Sequence, residues 1–509
     1  MYRQEEHRKE LIYRISIYAL MILFSVTALI FLVFHMLGYT FNPDTRELQQ
    51  TGLVQYNSYP SGSMVFVDGM QLRRAQTKNT VLPGKHTFSM ELDGYESWRK
   101  TIDIKSNTVT NLNYARLIPS KRSTSEVQTL SNMQTAHLSP AGNFMMAFGH
   151  KDSVPVAMLG DLRDTNKEKF TEHAINTSIL AGYNVQSQYH AFEVVEWDRS
   201  TRFLLVKHTY QNESGTRAVQ WLRFDREMPT DPVDITALTR FAITKAHFIG
   251  TTGAELYVLR DTGELHRLDL SAQAVYRPDI VDVQTFLLYG DDRIAYVATQ
   301  SGKKIAGVWK KGWQKPLVIN TFDNSATPIV RVSSYFHKDT VALAAGNVLT
   351  FYRGEISDDT EAQEKFLETK KTISLNYAAS GLSFNNSGRF ITVRGSAAAQ
   401  SYDLERSSLS EEFRLGAGQE IRWLDDFYLW DVTSSGKLAI REFDGTNLHE
   451  LLPANKTLTA ALSSNQRYVY SLTQNDSGQL VLNKMNMTTG VNNDWRSEEH
   501  TSELQSRTV

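Results

Sequence analysis

The chain has 509 residues, of which 41% are hydrophobic and 22% charged, and its formal net charge is −2. That balance excludes a generally disordered chain and gives no basic footprint for nucleic acid. With no cysteine present, disulfides, iron–sulfur clusters and thiol nucleophiles are excluded as well.

The first element is an uninterrupted apolar run over residues 15–37, in which His35 is the only ionisable side chain. A bilayer core of about 30 Å is crossed by roughly 20 helical residues, so this run predicts a transmembrane helix. A buried helix of a soluble protein keeps a polar stripe, and this run has none. Arg3, Arg8, Lys9 and Arg14 precede it, whereas only Arg46 follows closely. Lys and Arg are retained on the cytoplasmic side, which predicts an inside tail at residues 1–14 and the bulk of the chain outside. Tyr13, Tyr18, Tyr39 and Phe41 suit the interfacial aromatic belts. A cleavable signal peptide has a shorter apolar core and a small-residue cleavage site. Met36-Leu-Gly-Tyr39 offers no such site, so an uncleaved signal-anchor in the plasma membrane is expected.

After a polar linker at residues 38–51, residues 52–119 read as a small all-β, sandwich-like domain. Residues 54–56, 64–67, 86–90 and 97–104 have the alternation and β-branched or aromatic content of short strands. Pro60-Ser-Gly62, Asp68-Gly69, Pro83-Gly84 and Asp93-Gly94 supply the fixed or positive φ that tight turns need. In order along the chain stand Pro60-Ser-Gly-Ser-Met-Val-Phe-Val-Asp-Gly69, Leu82-Pro-Gly-Lys-His86 and Leu92-Asp-Gly-Tyr-Glu-Ser-Trp98. This series resembles the PEGA domain pattern P-x-G-A-x-V-x-V-D-G, L-P-P-G-x-H, G-Y-x-x-W. The resemblance rests on Pro60, Gly62, Asp68, Gly69, Pro83, Gly84, His86, Gly94, Tyr95 and Trp98, and it implies a surface-exposed, non-catalytic module of a bacterial envelope protein. One departure lies at Arg73-Arg74 and Thr77-Lys78, where the family has a second Gly and a Thr-Pro. Asp68 and His86 are assigned turn and strand roles in preference to a catalytic pair.

From residue 120 to 495 the chain repeats a polar turn followed by a strand with a large apolar anchor. The anchors Phe144, Phe203, Leu256, Ile294, Val341, Phe390, Phe427 and Tyr468 are spaced by roughly 37 to 59 residues, and periods near 40–50 built of short strands are the signature of β-propeller blades. Eight units fit the spacing; seven blades with one irregular hairpin is the alternative count, and stacked sandwich domains are the alternative architecture. Ser139-Pro-Ala-Gly-Asn and Asn386-Ser-Gly-Arg resemble the S-P-D-G-K turns of WD-repeat-like propellers. Residues 125–130 are expected to complete the sheet of the last blade, formed by residues 467–473 and 478–486. Residues 357–371 are a polar stretch with the pattern of a short inserted helix.

Chemistry is sparse. There is no G-x-S-x-G elbow, P-loop or kinase signature. His449-Glu450 begins an H-E-x-x-H, but Pro453 stands where the second ligand belongs. Asp291-Asp292, Asp358-Asp359 and Asp425-Asp426 lack the remainder of a calcium loop and are read as turn residues. No catalytic, cofactor-binding or metal-binding residue is expected. Trp309, Lys310, Lys311 and Trp313 form a candidate ligand patch able to stack on a sugar or hold an anionic polymer. The competing assignment is a hairpin turning at Lys311-Gly312 with both tryptophans packed between blades. Finally, residues 496–506, Arg-Ser-Glu-Glu-His-Thr-Ser-Glu-Leu-Gln-Ser, resemble the translation of a short-read sequencing adapter. Residues 496–509 are therefore read as non-native and the native C-terminus as missing.

Together these features predict a mainly β, membrane-anchored, extracytoplasmic binding or scaffolding protein of the bacterial cell envelope, not an enzyme, with an envelope protein or glycan as partner. The alternative is an envelope glycan lyase or hydrolase with its site at the propeller mouth. An acidic pair facing the channel would favour the enzyme.

Overall fold

The eight repeat anchors lie in, or immediately before, the second strand of eight consecutive antiparallel sheets. The computed structural model describes residues 2–36, 38–42, 46–183, 190–416 and 419–489. It divides the chain into two compact units, with Arg122–Thr488 forming the larger. Residues 490–509, including the adapter-like segment, lie outside the described residues.

In the smaller unit, a helix runs from Tyr2 to Met36, and its stretch Tyr13–Phe34 is long and apolar enough to cross a membrane, with none of it buried. Residues 38–51, expected as a linker, instead carry the paired strands Tyr39–Asn42 and Glu47–Gln50. The strands that follow form two sheets. Gly52–Tyr59 lies between Thr77–Val81 and Val109–Arg116, parallel to the latter; Met64–Val67 lies between Met70–Arg74 and Gly84–Glu91, which also pairs with Trp98–Ile104. Alternation buries Val54, Tyr56, Val65, Phe88, Met90 and Trp98 in one core. The departure at Arg73-Arg74 has a structural use. Here the chain leaves one sheet and enters the other across Ala75-Gln76, whose N–H groups donate to Ser63 and Tyr56 carbonyls at 2.7 and 2.9 Å.

The larger unit is a β-propeller. Among the described residues, seven sheets follow one another along the chain, each built from strands adjacent in sequence. The eighth contains Ala460–Leu462, Tyr468–Gln474 and Leu480–Asn486, and its last place is filled by Thr124–Leu130 from the other end of the unit. That pairing closes the ring and covers an edge that would otherwise template aggregation.

Apolar side chains seal each sheet against the next. Met145 and Leu482 share a core between the eighth and first sheets, and Phe148 and Phe224 between the first and second. Trp221 and Val258 follow, then Tyr257 and Trp309, Val308 and Leu343, Phe351 and Tyr402, and Ala399 and Leu429. The seventh and eighth sheets are joined by hydrogen bonds, with Ser471 Oγ donating to Pro453 O at 2.6 Å and Asn455 N to Leu472 O at 3.0 Å.

The repeated turn has a physical logic. Ser139, Asp198, Asn385 and Ser463 each stand five residues before an anchor, and their side-chain oxygens accept the anchor N–H at 2.8–3.0 Å. This satisfies a buried donor at the start of each second strand. Gly142 and Gly388, at φ of 63° and 76°, bring these turns against the neighbouring sheet; a Cβ there would lie 2.2 Å from Leu462 O or 2.4 Å from Ser334 O. Helix Thr360–Glu368, capped by Asp359 accepting from Ala362 N, is inserted in the fifth sheet.

Candidate functional site

The first strands of the third to sixth sheets, Ile243–Ile249, Val283–Tyr289, Ile329–Tyr335 and Gly381–Phe384, surround a cavity of about 200 Å³. Lys245, Thr285 and Arg331 occupy the third position of three successive first strands, and all three line it. Phe286, Tyr296, Ser380 and Gly381 contribute to the wall. Lys245 Nζ donates to Thr285 Oγ1 at 3.4 Å, and Arg331 Nη1 donates to Val330 O at 2.8 Å.

Among the described residues neither cation has a carboxylate within ion-pair distance. Glu196, the acid that acts on Lys245, is engaged with His247 at 3.0 Å. Desolvation, followed by repulsion from Arg331, brings the Lys245 ammonium down to about 8 against the smaller opposing pull of Glu196. Desolvation likewise brings Arg331 down to about 10. Sequence reasoning did not single out these two residues. Each is a lone cation in an apolar strand, and only alignment of the first strands would have placed them together.

A second polar cluster lies between the first and second sheets. His190 Nδ1 donates to His208 Nε2 at 2.8 Å, and His208 Nδ1 donates to Gln220 Oε1 at 2.9 Å. Gln220 Nε2 in turn donates to Ile179 O at 2.8 Å and to Asp234. His150 lies 6.1 Å from His190, ring to ring. With His208 neutral and its Nδ1 proton given to Gln220 Oε1, its Nε2 is left as the acceptor for His190. Burial, with smaller repulsion from His190 and His150, brings His208 down to about 4 even though the Gln220 bond opposes it. Burial lowers His150 and His190 too. The unfolded chain, with histidine near 6.5, therefore binds more protons than the folded one between pH 6.5 and 4. Stability is full above that window and is lost as pH falls through it. Melting curves should show the midpoint dropping from pH 7 to pH 4.5, with a shallower drop in His208→Gln; parallel slopes for the two proteins would contradict this assignment.

The Trp309 patch does not form an aromatic platform. Trp309 is 3% exposed and meets Tyr257 edge-on at 6.2 Å, and its Nε1 donates to Trp313 O at 3.2 Å. Trp313 is half-buried against the same core. Lys310 lies 4.0 Å from Asp292 and Lys311 3.5 Å from Glu255. The turn is Lys311-Gly312, with Gly312 at φ 95°.

The motif residues of the smaller unit take turn and packing roles. Asp68 and Gly69 have φ of 50° and 81° and join two strands. Asp68 Oδ2 meets His86 Nδ1 at 2.6 Å, Asp68 Oδ1 accepts Thr87 N–H at 2.8 Å, and His86 Nε2 faces Leu82 O at 2.9 Å. With both ring nitrogens committed, His86 fastens a turn. Ser58 Oγ donates to Pro60 O at 2.7 Å, and Arg74 donates to Gly62 O at 2.9 Å. Gly84 and Gly94 take positive φ, and Pro83 precedes the strand that opens at Gly84. Tyr95 bridges to Pro119, and Trp98 is 1% exposed.

The paired aspartates serve as turn and inter-sheet ligands. Asp291 accepts from Gly250 N, Asp425 from Phe427 and Tyr428 N, and Asp426 from Ser387 N. Among the described residues no group of three His, Asp or Glu is placed to hold a metal ion.

Residues 51–117 match the model of the PEGA domain family. No curated protein matches the chain. Among solved structures it is similar to the Myceliophteria thermophila Cps50 (Swd1) β-propeller domain at 10% identity, covering 72% of this chain and 100% of that one with a TM-score of 0.37. It is similar to an oligogalacturonate lyase in complex with manganese at 10% identity, covering 73% and 99% with a TM-score of 0.41. Kluyveromyces lactis Hsv2p is matched at 13% identity, covering 58% and 96% with a TM-score of 0.35. At these values, what those proteins bind or catalyse stays with them. The chain thus carries a PEGA domain at residues 51–117 and a β-propeller in Arg122–Thr488.

Proposed function

We propose that this chain is a membrane-anchored binding or scaffolding protein of the bacterial cell envelope. Residues 1–14 lie in the cytoplasm, and the PEGA domain and propeller lie outside, where they hold an envelope protein or glycan. The observation that carries this reading is the order of parts: a membrane-length apolar helix with its Lys and Arg on the N-terminal flank, then a PEGA domain, then a closed propeller. The positive flank supports the orientation. Glycoside hydrolysis by the usual route needs two carboxyl groups flanking the scissile bond. The cavity wall offers Lys245 and Arg331 and no carboxylate, which supports binding over hydrolysis at that cavity.

Retention experiments test the proposal. Tagged full-length chain, solubilised gently from native membranes, should retain a reproducible envelope component that a chain lacking the propeller does not. Steady, saturable cleavage of an envelope glycan by the purified chain would overturn it in favour of the enzyme. Failure to retain any component above the control would count equally against it.

A further inference from the structure

The cavity lined by the third to sixth sheets gathers two cations at one small space. Lys245 and Arg331 are both half-buried, and partly desolvating a cation without a partner has a cost that folded proteins ordinarily avoid by pairing or exposing such groups. Here two are held toward one small space from strands of the third and fifth sheets, with Thr285 of the fourth between them. Glu196, the acid that acts on Lys245, is paired with His247, and Lys207 adds a further positive charge nearby. Of the five donors on the Arg331 guanidinium, one on Nη1 is engaged, by Val330 O. The rest of that planar fork has no protein acceptor among the described residues, and a fork of this kind matches a carboxylate or phosphate bidentately. Lys245 adds a compact positive charge, and the Thr285 and Ser380 hydroxyls stand at the same wall.

We propose that this cavity is an oxyanion-binding site, in which Arg331 and Lys245 together hold the carboxylate or phosphate group of a small ligand. Phe286 and Tyr296 give the cavity an apolar wall, and Gly381 leaves room beside Arg394 that a side chain would close, since a Cβ would meet Arg394 Nε at 3.0 Å. The inference rests on the binding reading above and gives it a chemical class and a place. It does not depend on the identity of the macromolecular partner. The ammonium of Lys245, brought down to about 8 by desolvation and by Arg331, adds a pH signature: binding should weaken as pH rises through that value.

Calorimetric titration of the detergent-solubilised full-length chain tests this, with inorganic phosphate and glucuronate as the two oxyanion probes and glucose as the neutral control. The expected result is saturable binding of at least one anion and none of glucose. Preference for phosphate or glucuronate distinguishes a phosphate ligand from an acidic sugar. Arg331→Gln should weaken binding about tenfold or more, the scale of a lost charge-assisted contact, and Lys245→Met should weaken it and flatten its dependence above pH 8. The same two variants should melt no lower than the parent without ligand, because each removes an unpaired, desolvated charge. That opposition separates a ligand site from a structural role, in which the variants would lose stability and binding together. No saturable anion binding by the parent chain, or unchanged affinity in both variants, would overturn the site. Retention of the envelope partner in such a case would leave the broader binding role standing.

Discussion

Replacing Asp431 with alanine is expected to destabilise the propeller by about 3–5 kcal/mol, the cost of leaving a buried charge without its partner. Asp431 is 0% exposed and Arg441 6%, and they face each other in the seventh sheet with Arg441 Nη2 donating to Asp431 Oδ2 at 2.6 Å. Arg441 Nη1 donates to Arg414 O at 3.1 Å, but its Nε and Asp431 Oδ1 have no hydrogen-bond partner among the described residues. The pair is thus held by few contacts, and removing the carboxylate strands a guanidinium inside the sheet. The double change Asp431→Leu with Arg441→Met should recover most of the loss, because an apolar pair of similar volume is often neutral or stabilising. Urea midpoints of the single and double variants decide this. Equal losses in both would mean that shape, not charge, governs the position.

Trp309→Ala should cost a similar amount, about 3–5 kcal/mol, since it removes a large aromatic side chain from a filled core. The ring lies between the third and fourth sheets with Tyr257, Phe286 and Ile294. It also loses the hydrogen bond that fixes the following turn through Trp313 O. Trp313→Ala should be milder, because that side chain is only half-buried. Unfolding curves with fluorescence from the remaining tryptophans measure both effects. A Trp309→Ala protein of parental stability that had lost a sugar or polymer ligand would restore the surface-patch role.

Much of this architecture is legible in the sequence, because the turn grammar is local. Ser139, Asn385 and Ser463 sit at a constant offset from Phe144, Phe390 and Tyr468, and the same side chains close the same hydrogen bond in each sheet. Asp198 does this for Phe203, five residues before it. The closing strand was visible as an alternating segment with no neighbour of its own. By contrast, Met70–Arg74 and Thr77–Val81 are short, polar and separated only by Ala75-Gln76. Their identity comes from partners on two different sheets, which no local pattern encodes. The same holds for the strands at Tyr39–Asn42 and Glu47–Gln50, whose polar composition reads as a linker. The cavity was the least legible feature. Lys245 and Arg331 each look like a solvated charge on a strand, and only the alignment of successive first strands places them at one space.

The orientation across the membrane carries the proposed function, and the cysteine-free chain allows it to be measured cleanly. Single cysteines are introduced by Glu5→Cys in the N-terminal tail and by Ser477→Cys in the exposed turn of the last propeller sheet. Each protein is then treated, in cells whose outer barrier has been opened, with a membrane-impermeant maleimide. Labelling of the Ser477→Cys protein before lysis, with labelling of Glu5→Cys only after it, is the predicted result. The reverse pattern would put the PEGA domain and propeller in the cytoplasm and contradict an extracytoplasmic binding role.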